Sequence, residues 1–95
     1  MSNFINETKM PLKEKDIKDL NFSLVNGVLF YKDKPYAGIV KEFYSNGAIK
    51  SKSEYLSGKR EGYFEGWYIE GNKQFKRAYK NGLKVGKHIG WYKNN

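Results

Sequence analysis

An all-β fold assembled from units of 24 residues is what this chain predicts, and three observations carry the prediction. Gly38, Gly62 and Gly86 each open a segment whose sixth and seventh residues are aromatic: Phe43 and Tyr44, Trp67 and Tyr68, Trp91 and Tyr92. The same step links Tyr31, Tyr55 and Tyr79, Gly47 with Gly71, and Gly58 with Gly82. A fixed period of this size marks a stack of small supersecondary units, none able to bury its apolar face alone. Second, eight Tyr, six Phe and two Trp stand where Leu, Ile and Val usually form a core, and aromatic rings suit a pleated surface. Third, β-branched and aromatic residues punctuated by glycine run from Asn21 onward. With 95 residues the chain is one domain with a thin core.

Along the chain, residues 1–20 are expected to be flexible or partly helical. Ile17, Leu20 and Leu24 share a helical face, but Leu12 falls off that spacing. Residues 21–95 form the repeat domain, with an irregular cap hairpin over 21–32 and repeats starting at 38, 62 and 86. Strands are predicted near 21–25, 28–32, 36–44, 48–56, 62–68, 73–80 and 85–92, about seven in all.

The turns determine which side chains share a face. Ser45-Asn46-Gly47 and Ile69-Glu70-Gly71 occupy equivalent places, and only the glycine is common to both. A two-residue type I′ turn would force Glu70 into the left-handed region, so a three-residue loop ending in a left-handed glycine is predicted. Val25-Asn26-Gly27 is expected to have the same form. Gly58 and Gly82 are the corresponding turn and loop glycines between units. With such loops the odd positions lie together, which assigns Ile39, Phe43, Ile49, Tyr55, Tyr63, Trp67, Phe75, Tyr79, Ile89 and Trp91 to the core. Phe43, Trp67, Trp91, Tyr55 and Tyr79 are its principal aromatics. The even face becomes a basic, aromatic surface with Lys50, Lys52, Lys76 and Lys80 among Val40, Tyr44, Phe64, Tyr68 and Tyr92.

Gly62 to Tyr68 and Gly86 to Tyr92, read as glycine, four residues and Trp-Tyr, then a turn glycine and a second glycine before the next unit, resemble MORN repeats. The likeness is to the variant repeats of bacterial proteins that often carry antitoxin-like descriptions. Leu29-Phe30-Tyr31-Lys32 with Pro35-Tyr36-Ala37-Gly38 resembles the usual entry into such an array, and the likeness spans roughly residues 25–95. It implies a single antiparallel meander of hairpins coiled into an open, elongated β-solenoid, and a scaffolding, lipid-contacting or self-associating role without catalytic residues. Glu42 departs from the pattern, standing where Gly66 and Gly90 occur.

The chemistry points the same way. There is no cysteine, which excludes disulfides, thiolate metal sites and cysteine nucleophiles. His88 is the sole histidine and reads as a surface or packing residue. Glu61, Glu65 and Glu70 read as solvated charges beside loops and turns. No enzyme activity, cofactor or metal is therefore expected. The formal net charge is +8; residues 1–24 hold four lysines against Glu7, Glu14, Asp16 and Asp19, so the excess lies in the repeats. That balance favours anionic partners.

The expected function is protein binding or scaffolding, antitoxin-like in kind, through Tyr44, Tyr68, Tyr92, Phe64, Lys50, Lys52, Lys76 and Lys80. The alternatives are a peripheral membrane protein that binds anionic phospholipid headgroups, and a structural protein that self-associates as a homodimer through the edge strand near 85–92. Nucleic acid is not expected, since no recognised motif accompanies the basic residues. No apolar run is long enough to span a membrane, and Met1 to Met10 lacks a signal-peptide core. A cytoplasmic location is expected, or the cell envelope if a signal peptide has been removed.

Overall fold

The computed structural model describes residues 13–93. It is all-β, with nine strands among the described residues: β1 Glu14–Asp16, β2 Phe22–Val25, β3 Val28–Tyr31, β4 Lys34–Pro35, β5 Gly38–Phe43, β6 Ile49–Leu56, β7 Lys59–Trp67, β8 Lys73–Lys80 and β9 Leu83–Gly90. They form two sheets rather than the expected single meander. A six-stranded sheet has the order β1-β5-β6-β7-β8-β9, and a three-stranded sheet the order β2-β3-β4. The lead is a strand, not a helix: Glu14 to Asp16 pair in parallel with Ile39 to Lys41. Ile17 extends that pairing, donating its N–H to the Lys41 carbonyl at 2.8 Å. Residues 1–12 of the expected N-terminal segment lie outside the described residues.

Turn chemistry explains the hairpins. Tyr44 donates its N–H to the Ala48 carbonyl and Gly47 to that of Tyr44; Tyr68, Asn72 and Gly71 repeat the arrangement. Gly47 and Gly71 have φ of 89° and 104°, while Asn46 and Glu70 avoid the left-handed region. These are the predicted three-residue loops, in which only the third position needs glycine. The cap hairpin is different. Val25 pairs with Val28, and both Asn26 and Gly27 have positive φ, a two-residue type I′ turn. Ser57-Gly58 and Asn81-Gly82 follow the same form, and Lys32-Asp33 follows it without any glycine.

A second departure lies just beyond each three-residue loop. Glu42 faces Ser51 but Phe43 faces Ile49, leaving Lys50 as an extra residue. Gly66 faces Phe75 but Trp67 faces Lys73, leaving Gln74 extra. Such a bulge moves the later side chains of its own strand to the opposite face, and the two-residue turns at Ser57-Gly58 and Asn81-Gly82 return the odd positions of the next strand to the first face. The expected all-odd core is thereby divided. Ile39, Phe43, Ile49, Tyr63, Trp67 and Ile89 stay on one face, whereas Tyr55, Phe75 and Tyr79 join Val40 and Phe64 on the other.

The core sits on this second face, at the end where the small sheet meets it. Leu29, Tyr36 and Val40 are buried, with Phe22, Tyr31 and Tyr55 packed against them. Phe43, expected in the core, is instead 38% exposed, and Trp67 and Trp91 are half-buried. Three backbone hydrogen bonds close a ring at this end: Leu29 N–H to Gly58 O, Gly58 N–H to Tyr36 O, and Tyr36 N–H to Leu29 O, at 2.8, 2.8 and 2.9 Å. The Tyr36 hydroxyl then donates to the Ile39 carbonyl at 2.8 Å, and burial raises its pKa. At Gly58 a Cβ would overlap the Val28 side chain and approach the Leu29 carbonyl to 2.8 Å.

Gly27 and Gly58 share φ of 80°, yet a Cβ at Gly27 meets nothing. Gly27→Ala should therefore cost only the left-handed strain, about 1–2 kcal/mol. Gly58→Ala should cost a further ~1–3 kcal/mol of overpacking, read as the difference between the two in urea denaturation.

Asp19 supplies a second check. Its carboxylate accepts from the Asn21 N–H at 3.0 Å and from the Tyr31 hydroxyl at 2.8 Å, and these bonds hold its pKa below the ordinary 3.8. A pKa depressed by folding stabilises the fold above the unfolded value, and that contribution is lost as pH falls through the folded value. Carboxyl NMR titration should find the Asp19 midpoint below 3.8, and Tyr31→Phe should raise it.

Candidate functional site

The two faces of the large sheet have different surroundings. The covered face meets the small sheet at one end and continues as a row of rings. Phe64 packs edge-on against Phe75 at 4.9 Å, and the Arg60 guanidinium lies 4.1 Å from the Phe64 centroid and 5.6 Å from that of Tyr79. Arg60 also donates from Nε to the Ser53 hydroxyl at 3.0 Å. Arg77 stacks 4.3 Å from the Phe75 centroid, and His88 lies beside Tyr79 with ring centroids 6.2 Å apart. Rings that stack on a guanidinium are held flat, and the guanidinium's direction is restricted with them.

The other face is buried at Ile39 and, among the described residues, open beyond it. Strand alternation and pairing place Phe43 on β5, Lys52 on β6, Tyr63 and Trp67 on β7, Lys73, Lys76 and Lys80 on β8, and Val85 and Ile89 on β9 together there. Phe43, Tyr63, Val85 and Ile89 are 38%, 51%, 42% and 45% exposed. Lysines accompany the rings: Lys76 Nζ lies 4.1 Å from the Tyr63 centroid and Lys73 Nζ 5.2 Å from that of Trp67. Lys41, Lys52, Glu65, Lys76 and Ile89 form one cross-strand row. Lys41 is paired with Glu14 at 2.7 Å and Lys73 with Glu65 at 2.8 Å. Among the described residues Lys52, Lys76 and Lys80 make no ion pair. Lys52 lies directly opposite Lys41, whose charge the Glu14 carboxylate offsets.

The residues predicted to bind are thus separated by the structure. Lys52, Lys76 and Lys80 lie on the open face, and Phe64 on the covered one. Tyr44 and Tyr68 are anchored: their hydroxyls donate to the carbonyls of Trp67 and Trp91, each at 2.6 Å, one 24-residue step apart. Lys50 sits at a bulge, 5.6 Å from the Tyr44 centroid and 3.7 Å from the Glu42 carboxylate. Tyr92 is 83% exposed beyond the end of β9.

Tyr63 and Trp67 take the place expected for Phe64 and Tyr68 beside the lysines. A signal for this existed in the adjacency of Tyr63 and Phe64, since neighbours on one strand must put one ring on each face. No helix among the described residues is long and apolar enough to cross a membrane. Comparison of the chain with protein-family models, with characterised proteins and with solved structures finds no match.

Two glycines on the covered face make a matched pair. A Cβ on Gly66 would overlap the Phe75 ring, whereas one on Gly90 would meet only the Gln74 carbonyl, at 3.8 Å. Neither has a positive φ, so backbone strain does not separate them. Gly66→Val should destabilise by ~1–3 kcal/mol because Phe75 must move. Gly90→Val should be neutral within about 0.5 kcal/mol in thermal or urea unfolding.

Proposed function

We propose that this chain is a non-catalytic protein-binding module of MORN-repeat type, antitoxin-like in kind, that docks an acidic partner on its open face. The observation that carries the reading is that face itself, where Phe43, Tyr63, Val85 and Ile89 are exposed among Lys52, Lys76 and Lys80. Contiguous aromatic and apolar side chains left in water mark interaction surfaces, and rings beside cations suit an acidic protein. The expected short solenoid of repeats also belongs to this reading. It is supported by the recurrence at 24 residues of the Tyr44 and Tyr68 bonds, of the loops at Gly47 and Gly71, and of the bulges at Lys50 and Gln74. The family assignment rests on the residues alone.

One observation favours a second reading. Lys76 over Tyr63 and Lys73 over Trp67 set a cation beside an amphipathic ring, a pairing that also suits anionic phospholipid headgroups.

One pair of variants tests both. Affinity capture with the intact chain should retain an acidic protein that Tyr63→Ala with Lys76→Glu retains about tenfold less well or worse. Equal retention by both overturns the protein reading. Salt-sensitive sedimentation with acidic vesicles, lost in the same double variant, is what the lipid reading requires.

A further inference from the structure

The outer edge of β9 offers a more specific partner chemistry, and this inference rests on the reading of the chain as a protein-binding module. All eight residues of β9 are exposed, and among the described strands only β8 pairs with it. Its inner edge copies that of β7. Tyr55↔Arg60 and Leu56↔Lys59 on β6–β7 recur as Tyr79↔Lys84 and Lys80↔Leu83 on β8–β9. Ser51↔Gly66 and Lys52↔Glu65 recur as Phe75↔Gly90 and Lys76↔Ile89, and the ladder skips at Gly62 and Gly86 alike.

β7, however, has a strand on its outer edge. There β8 runs antiparallel with Phe75 opposite Gly66, Lys76 opposite Glu65, Arg77 opposite Phe64 and Ala78 opposite Tyr63. The Phe75 ring occupies the space that the missing Gly66 side chain leaves. One step on, no described side chain lies over Gly90, and the cleft around it, bordered by Tyr68, Phe75, Arg77, Trp91 and Tyr92, measures ≈ 460 Å³. The edge therefore has a register and an aromatic-sized slot that no described side chain fills.

We propose that the outer edge of β9 accepts an extended, acidic segment of a partner protein as an added antiparallel strand, with an aromatic ring over Gly90 and a carboxylate opposite Lys87. Transferring the β8 register puts the partner's next residue opposite Ile89, on the open face, where an apolar side chain fits. Two positions further on, its residue lies opposite Lys87. Charge selects an acidic strand over a second copy of this chain: residues 83–93 contain Lys84, Lys87, Lys93 and His88 and no acid. Two such edges brought together would oppose lysine to lysine. Main-chain hydrogen bonds would supply affinity and the slot and charge its specificity.

The test titrates the ¹⁵N-labelled full chain with a synthetic peptide carrying Phe-Val-Thr-Glu at its centre. Amide shifts are expected along Gly86 to Trp91, with slowed exchange at the outward-facing amides that alternate with those bonded to β8, and with affinity falling about tenfold or more for Gly90→Val, for Lys87→Glu and for a peptide with Phe replaced by Ala. Unchanged amide shifts elsewhere in Gly90→Val show that its fold is kept. Shifts confined to other strands, indifference to Gly90→Val, or protection of β9 that grows with protein concentration in the absence of peptide each overturn the proposal, the last by identifying a second copy as occupant. Leu56→Ala, at an exposed position on β6 away from β9, should leave peptide binding intact. If the peptide fails while partner capture still depends on Tyr63 and Lys76, the added strand is refuted and the open-face reading stands.

Discussion

The closed ring of backbone hydrogen bonds among Leu29, Gly58 and Tyr36 is the constraint on which the rest depends. It ties three separate segments at one point: the small sheet, the turn between β6 and β7, and the link into β5. Each donor finds its acceptor only if the chains approach closely, and a side chain on Gly58 would hold them apart. The apolar contribution is small, since Leu29, Tyr36 and Val40 are the buried members of the cluster. A core so thin needs satisfied polar groups around it, because one unpaired buried amide costs about as much as a buried methyl pair contributes. Tyr36 meets that need twice, through its backbone and through its hydroxyl.

Once that end is fixed, the large sheet extends by repetition, and its two faces diverge in character. The covered face immobilises its rings with Arg60 and Arg77, the chain's two arginines. The open face carries lysines, whose flexible stems leave the rings beside them accessible. Arginine fixes the rings on one side, while lysine on the other leaves a more adaptable surface. The edge strand β9 belongs to both faces and brings them to the same boundary.

Much of this was legible in the residues. The all-β class, the positions of the main hairpins and the three-residue loops at Gly47 and Gly71 followed from glycine placement and from the poor fit of Glu70 to a left-handed conformation. The lone extra residues Lys50 and Gln74 were not legible, because a bulge at an ordinary polar residue leaves no compositional mark. Their effect on the site was large: they moved Tyr55, Phe75 and Tyr79 to the covered face and left Tyr63 and Trp67 beside the lysines. The parallel strand β1 was hidden for a different reason. Three mixed-charge residues pair through their backbone and through one ion pair, Glu14 with Lys41, so neither hydrophobic period was present to reveal them. Lys32-Asp33 likewise adopts a turn that its side chains do not advertise.

The Tyr44 and Tyr68 hydroxyls each reach from one unit to the backbone of the next. They bond to carbonyls, which makes the attachment independent of the side chain at the receiving position, so Trp67 and Trp91 could vary without loosening it. Such rungs also give the sheet a mechanical sequence. Tension applied beyond β9 would break the Tyr68 rung at Trp91 first and then peel β9 from β8, while the Gly58 ring at the opposite end still held. The chain would behave as a ratchet that yields unit by unit from one end.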